Sequence, residues 1–156
     1  MSWLARVLGW FRPPPTPPPP PPGGPPPSPS IAVQLLAAHN AERARAGVPI
    51  LWADVRLIAC AQAHSDWMAR TGKLTHTGAD GILETRAVGA GYRYSAIGEN
   101  IAEGDRGVAD VMAAWMASPG HRHNVLGGNY REFGGAVTLA KDGTPWWTAC
   151  FGRTLE

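Results

Sequence analysis

The chain has 156 residues, with 14 Lys and Arg against 12 Asp and Glu. That length holds one domain and a tail. The charges are dispersed with no Lys/Arg run, which excludes the basic footprint of a nucleic-acid-binding surface. Residues 1–12 place Trp3, Leu4, Val7, Leu8 and Phe11 on one helical face, with Arg6 and Arg12 elsewhere. The segment is too short to span a bilayer, and it lacks the small-residue cleavage site of a signal peptide. It reads as an amphipathic tether to a membrane or partner surface; the alternative is a fragment of a longer export signal. Residues 13–29 hold thirteen of the sixteen prolines. Proline lacks the N–H and fixes φ, so this stretch is expected to be an extended spacer with a hinge at Gly23-Gly24 rather than a proline-rich ligand.

Residues 30–156 carry the periodic pattern of a folded domain. Ser30 is placed to cap a first helix, Ile31 to Ala46, in which Ile31, Leu35 and Ala38 recur at helical spacing before Gly47 and Pro49. Asp54 is placed to cap a second helix to about Thr71, with Leu57, Ala61, His64 and Met68 as its inner stripe and Gly72 at its end. A loop then carries His76, and Gly81 to Ala90 reads as a short helix. Ile97 to Ala102 reads as a short strand. Val108, Val111, Met112 and Trp115 mark a third long helix, stopped by Ser118-Pro119-Gly120. Phe133 to Ala140 and Thr144 to Phe151 read as a hairpin around Asp142-Gly143. Helices that precede and interleave with antiparallel strands predict an α+β layered domain and leave the strand order open. Trp52, Trp67 and Trp115 fit core positions. The adjacent Trp146 and Trp147 must point to opposite faces of a strand, which leaves one of them free to be exposed.

Five motifs follow one another in order. They are His39-Asn40-Ala41-Glu42-Arg43, then Ala63-His64-Ser65 with Met68, then Gly98-Glu99-Asn100-Ile101. Trp115 with Ser118-Pro119-Gly120-His121-Arg122 and Asn124 is the fourth. Trp147-Thr148 with Phe151-Gly152 closes the set. Each motif alone is weak, and the ordered set is specific. In these residues the chain resembles a bacterial member of the CAP superfamily, the group of cysteine-rich secretory proteins, antigen 5 and plant pathogenesis-related proteins. The resemblance covers nearly everything after the proline tract. It implies a three-layer α-β-α sandwich with a small, mainly antiparallel sheet and a polar cleft. Eukaryotic members hold two His and two Glu in that cleft, and some bind a divalent metal through the His pair. His76 and His121 match the histidines, and Glu99 matches the first glutamate. The second glutamate falls at Ser118, so the set of four is incomplete, as is usual in bacterial members.

Through the resemblance, His76, Glu99, Ser118 and His121 form the ligand cleft, and His76 and His121 are the candidate ligands for a weakly bound Zn or Mg ion. Two functions follow. One is an exported or envelope-associated binding module for a cell-wall fragment, glycan or lipid. The other is a metal-dependent hydrolase acting on cell-wall or peptide substrates, with Glu99 as the candidate catalytic base. His39, Asn40, Arg43, Asn100 and Trp115 read as structural motif residues, with Asn40 and Arg43 pinning the first helix to neighbouring loops. His64 reads as a satisfied core histidine, His123 as solvent-exposed, and Glu84 with Arg86 as an ion pair holding the short helix. Cys60 and Cys150 are open to a disulfide or to two separate buried thiols. They are expected to be close, where the second helix meets the sheet. Their apolar sequence neighbours argue against a reactive thiolate.

Overall fold

In the structure, a computed structural model, residues 29–155 are described. The expectations for residues 1–12 and for the proline-rich stretch up to residue 28 lie outside them. Among the described residues nine elements follow one another: α1 (Ile31–Arg45), β1 (Trp52–Ala53), α2 (Val55–Thr71), α3 (Leu83–Gly89), β2 (Tyr94–Glu103), α4 (Val108–Ala117), α5 (Pro119–Val125), β3 (Glu132–Leu139) and β4 (Pro145–Thr154). Among the described residues no helix is long and apolar enough to cross a membrane.

One four-stranded sheet, in the order β1-β3-β4-β2, forms the middle layer. β1 runs parallel to β3, while β3/β4 and β2/β4 are antiparallel. α2 packs on one face of the sheet, with α3 beside it; α1, α4 and α5 cover the other. This is the α-β-α sandwich of an α+β domain. β4 is central and covered on both sides, so its alternating side chains all enter a core. Trp147, Ala149 and Phe151 join Leu35, Val111, Trp115 and Phe133 on the α1/α4/α5 side. Trp146 and Cys150 face α2 with Met68, Cys60 and Leu57.

Two tryptophan expectations are corrected by this arrangement. Trp146 and Trp147 are both buried, because no face of β4 meets solvent. Trp52 is 65% exposed instead of in the core, because it lies on the two-residue edge strand β1. Ser30 stands at the N-cap of α1 but makes no side-chain capping bond. Asp54 caps α2 through Arg56 N and Leu57 N, and Gly72 ends that helix in the left-handed conformation. The strand predicted at Ile97–Ala102 is longer in the structure, Tyr94–Glu103. Pro119-Gly120 stops α4 but opens α5, since proline suits the first turn of a helix.

The first motif is a clamp. Asn40 exchanges hydrogen bonds with Leu51, donating to its carbonyl at 3.0 Å and accepting from its N–H at 2.8 Å. The fully buried Arg43 donates to the carbonyls of Pro49, Val125 and Gly127. These bonds tie α1 to the loops before β1 and after α5. On the other face α2 lies directly on β3 at Gly134, where a Cβ would overlap the Leu57–Ile58 backbone. That close approach sets α2, with Cys60 and His64, against the middle of the sheet.

Candidate functional site

The site lies along β2, an edge strand of the sheet. Successive β2 side chains point to opposite layers, so neighbouring Glu99 and Asn100 organise two sides of one edge. Glu99 points towards α2 and α3. Its side chain is 2% exposed and is held by two groups, Arg86 and His76. Arg86 of α3 reaches both carboxylate oxygens, at 3.0 and 2.8 Å, and also the His76 carbonyl at 3.1 Å. His76 Nδ1 meets Glu99 Oε1 at 2.9 Å. A carboxylate only accepts, so Nδ1 carries the proton and Nε2 is the ring's free nitrogen. The His76 side chain is 58% exposed, which leaves that nitrogen open to solvent.

Asn100 points the other way and fixes the second histidine. It donates to the His121 carbonyl at 2.9 Å, and Asn124 donates to the Glu99 carbonyl and to Asn100 Oδ1. Both α5 residues are thereby fastened to β2. Gly98 has to be glycine for this contact, because a Cβ there would run into the Tyr130 hydroxyl and Asn124. His121 therefore stands on a helix, not on the loop that Ser-Pro-Gly suggested, and His76 comes from the α2–α3 loop.

Electrostatics links the two rings. The hydrogen bond to Glu99 raises the His76 pKa above the usual histidine value, against a smaller effect of burial. Burial lowers that of His121, and the charge of His76 lowers it further. His121 therefore keeps its lone pair at neutral pH, while His76 holds its proton more readily. Ser118 sits at the α4–α5 junction, three residues before His121, and is half-buried. Its side chain makes no hydrogen bond to His76, Glu99 or His121. Among the described residues, no group of three or more His, Cys, Asp or Glu is arranged to hold a metal ion. A metal held here would rely on the two imidazole nitrogens and leave the site open, with Glu99 orienting His76 rather than ligating.

Four other residues complete the picture. Arg86 pairs with Glu99 and not with Glu84, which is exposed; a helix that buries one face turns Arg86 inward beside Leu83 and Ala87. The sequence pairs Arg86 with Glu84 to hold the short helix and so does not reveal it as the cation of the site. A lone Arg on a short amphipathic helix was the available signal. His64 is buried and stacks on Trp67, with Nε2 donating to the Thr75 carbonyl at 2.8 Å. The cysteines are unbridged and buried in one largely apolar cluster, yet each also meets a charged group. Cys60 Sγ lies 3.8 Å from Arg86 Nη1 and Cys150 Sγ lies 3.9 Å from Glu99 Oε2. Their sequence neighbours are apolar, but α3 and β2 bring the charges from elsewhere in the chain.

An α-β-α sandwich with a His–Glu–Arg cluster on one sheet edge and a second His across it defines a recognisable class of domain. The family model for CAP, the cysteine-rich secretory protein family, matches residues 36–151. The chain belongs to that family. It is 33% identical over 115 residues to the Bacillus subtilis protein YkwD, a match that takes in 73% of this chain and 44% of YkwD. An extracellular protein with an SCP domain from Bacillus anthracis superposes with a TM-score of 0.72 at 26% identity, over 80% of this chain and 40% of that one. An outer surface protein of Borrelia burgdorferi has the same fold, with a TM-score of 0.73 at 20% identity over 79% of this chain and 92% of that one.

Proposed function

We propose that this protein is an exported or envelope-associated binding module that presents His76 and His121 to a polar ligand, with cell-wall glycan as the ligand class. His76 and His121 would hold a divalent cation, which would supply a point of attachment for ligand oxygens. The extracellular and outer-surface relatives support the compartment. The observation that carries the reading is the state of Glu99. Its carboxylate is buried and engaged by Arg86 and His76, so it orients a ring instead of facing a water molecule. A general base must be within reach of the proton that it removes. Residues 1–12 would hold such a module at a membrane interface, where a single short anchor gives weak, reversible binding.

Two measurements test this. Calorimetry of the full chain with Zn²⁺ should show one weak site at neutral pH, lost in His76→Ala and in His121→Ala while circular dichroism stays unchanged. Peptidoglycan and casein, each incubated with protein and Zn²⁺ or Mg²⁺, should remain intact. Metal-dependent cleavage that disappears in Glu99→Gln would replace the binding reading with the hydrolase reading.

A further inference from the structure

The cluster beneath the cleft contains chemistry that the binding reading does not use. In the β2–β4 register Glu99 lies directly opposite Cys150. Directly opposed residues on antiparallel strands share a face, which puts the Cys150 thiol against the Glu99 carboxylate. Gly134, next to Cys150 on β3, lets α2 settle onto the sheet and brings Cys60 to the same point. The two cysteines lie in one buried cluster and bracket one ion pair, Cys60 on Arg86 and Cys150 on Glu99.

Their access differs. Cys60 is on the wall of a cavity of about 720 Å³ between α2 and α3, together with Ala63, His64, Trp67, Gly78 and Arg86. Cys150 does not line it and is 0% exposed, against 3% for Cys60. We propose that the pair is a thiol–disulfide exchange site, in which Cys60 attacks a small aliphatic disulfide entering this cavity and Cys150 resolves the adduct.

The exchange balances in two steps. Cys60 loses its proton, and its thiolate attacks one sulfur of the disulfide RS–SR. A Cys60–S–S–R bond forms and RS⁻ leaves. Cys150 then gives up its proton and attacks the Cys60 sulfur, forming the internal disulfide and expelling a second RS⁻. The protein dithiol is oxidised, the small disulfide is reduced, and the two leaving thiolates take up the two protons.

The electrostatics suit this division of labour. The hydrogen bond from Cys150 lowers the Cys60 pKa and the Arg86 charge adds to this, against the effect of burial. The contact with Cys60, together with burial, pushes the Cys150 thiol well up. The attacking sulfur is thus the one that ionises more readily and belongs to the residue lining the cavity. The cavity wall is partly apolar, through Ala63 and Trp67, and suits the methylene groups of the disulfide. Arg86 sits beside the sulfur where negative charge develops.

The test uses the reduced full-length protein and hydroxyethyl disulfide, with acid quench, alkylation and peptide mapping. The expected product is the Cys60–Cys150 disulfide. Cys150→Ser should accumulate a mixed disulfide on Cys60 at least tenfold faster than Cys60→Ser acquires one on Cys150. If either variant does not fold, early quenching of the wild type decides the point: a first adduct on Cys60 is expected, and one on Cys150 overturns the proposal. Two thiols that stay unmodified in the native protein but react after unfolding in urea would also overturn it, since the cavity would then give no access.

Discussion

Acidification should act on the core through His39. The ring is fully buried on α1 and packs against Phe133, Phe151 and Trp115, with centroids 4.5, 5.3 and 5.6 Å away. Nδ1 donates to the Leu35 carbonyl at 2.7 Å, while Nε2 has no partner among these apolar neighbours. A proton added at Nε2 would be an unpaired buried charge, so burial drives the pKa from 6.5 to about 4. In the unfolded chain His39 titrates near 6.5. Between those values the unfolded chain holds a proton that the folded one does not, and stability falls as the pH falls. At about 1.4 kcal/mol per pH unit the loss by pH 4 is roughly 3 kcal/mol. That is a sizeable part of the roughly 5–15 kcal/mol of a typical domain. Urea titrations of wild type and His39→Phe at pH 7, 5.5 and 4 measure it. Phe keeps the aromatic packing and removes the titration. His64 and His121 titrate with the same sign and His76 with the opposite one, so the difference between the two proteins isolates His39. Wild type should lose roughly 3 kcal/mol more than the variant over this range. Parallel curves, or a His39 ring resonance titrating near 6.5 in the folded protein, would refute the argument.

Arg86→Met should destabilise the protein by about 3–5 kcal/mol in urea unfolding, because it strands a buried carboxylate; adding Glu99→Gln should recover much of that loss. Gly134→Ala should push α2 off the sheet and cost at least about 1–3 kcal/mol, read as a drop in melting temperature, since the clash is with backbone that cannot rotate away. Zn²⁺ affinity should weaken on acidification in two stages, first as His76 protonates above the usual histidine range and then as His121 does below it. Calorimetry across pH 5–8 follows this, and an affinity independent of pH would remove the imidazoles as ligands. Ser118→Glu should tighten Zn²⁺ binding, since it restores a carboxylate where the family resemblance places one; unchanged affinity would put that position outside the site.

The sequence by itself determined the domain and its family. Helical stripes, caps and punctuation carried α2, α4 and the β3–β4 hairpin, because these signals are local and each is written within a few residues. Five ordered motifs carried the fold and contain Glu99 and His121, and the family resemblance they establish added His76. The tertiary structure decided what those residues meet. Arg86 reads as a partner of Glu84 holding the short helix until β2 presents Glu99 to it. Cys60 and Cys150 have apolar neighbours along the chain, and only the seating of α2 on Gly134 puts both on the Arg86–Glu99 pair. Burial was decided in the same way. The tryptophans of β4 are hidden because helices cover both faces of that strand, and Trp52 is exposed because β1 is an edge. Contact across some 20 to 90 residues of chain depends on strand order and on which layer a side chain enters, and no local pattern encodes either one.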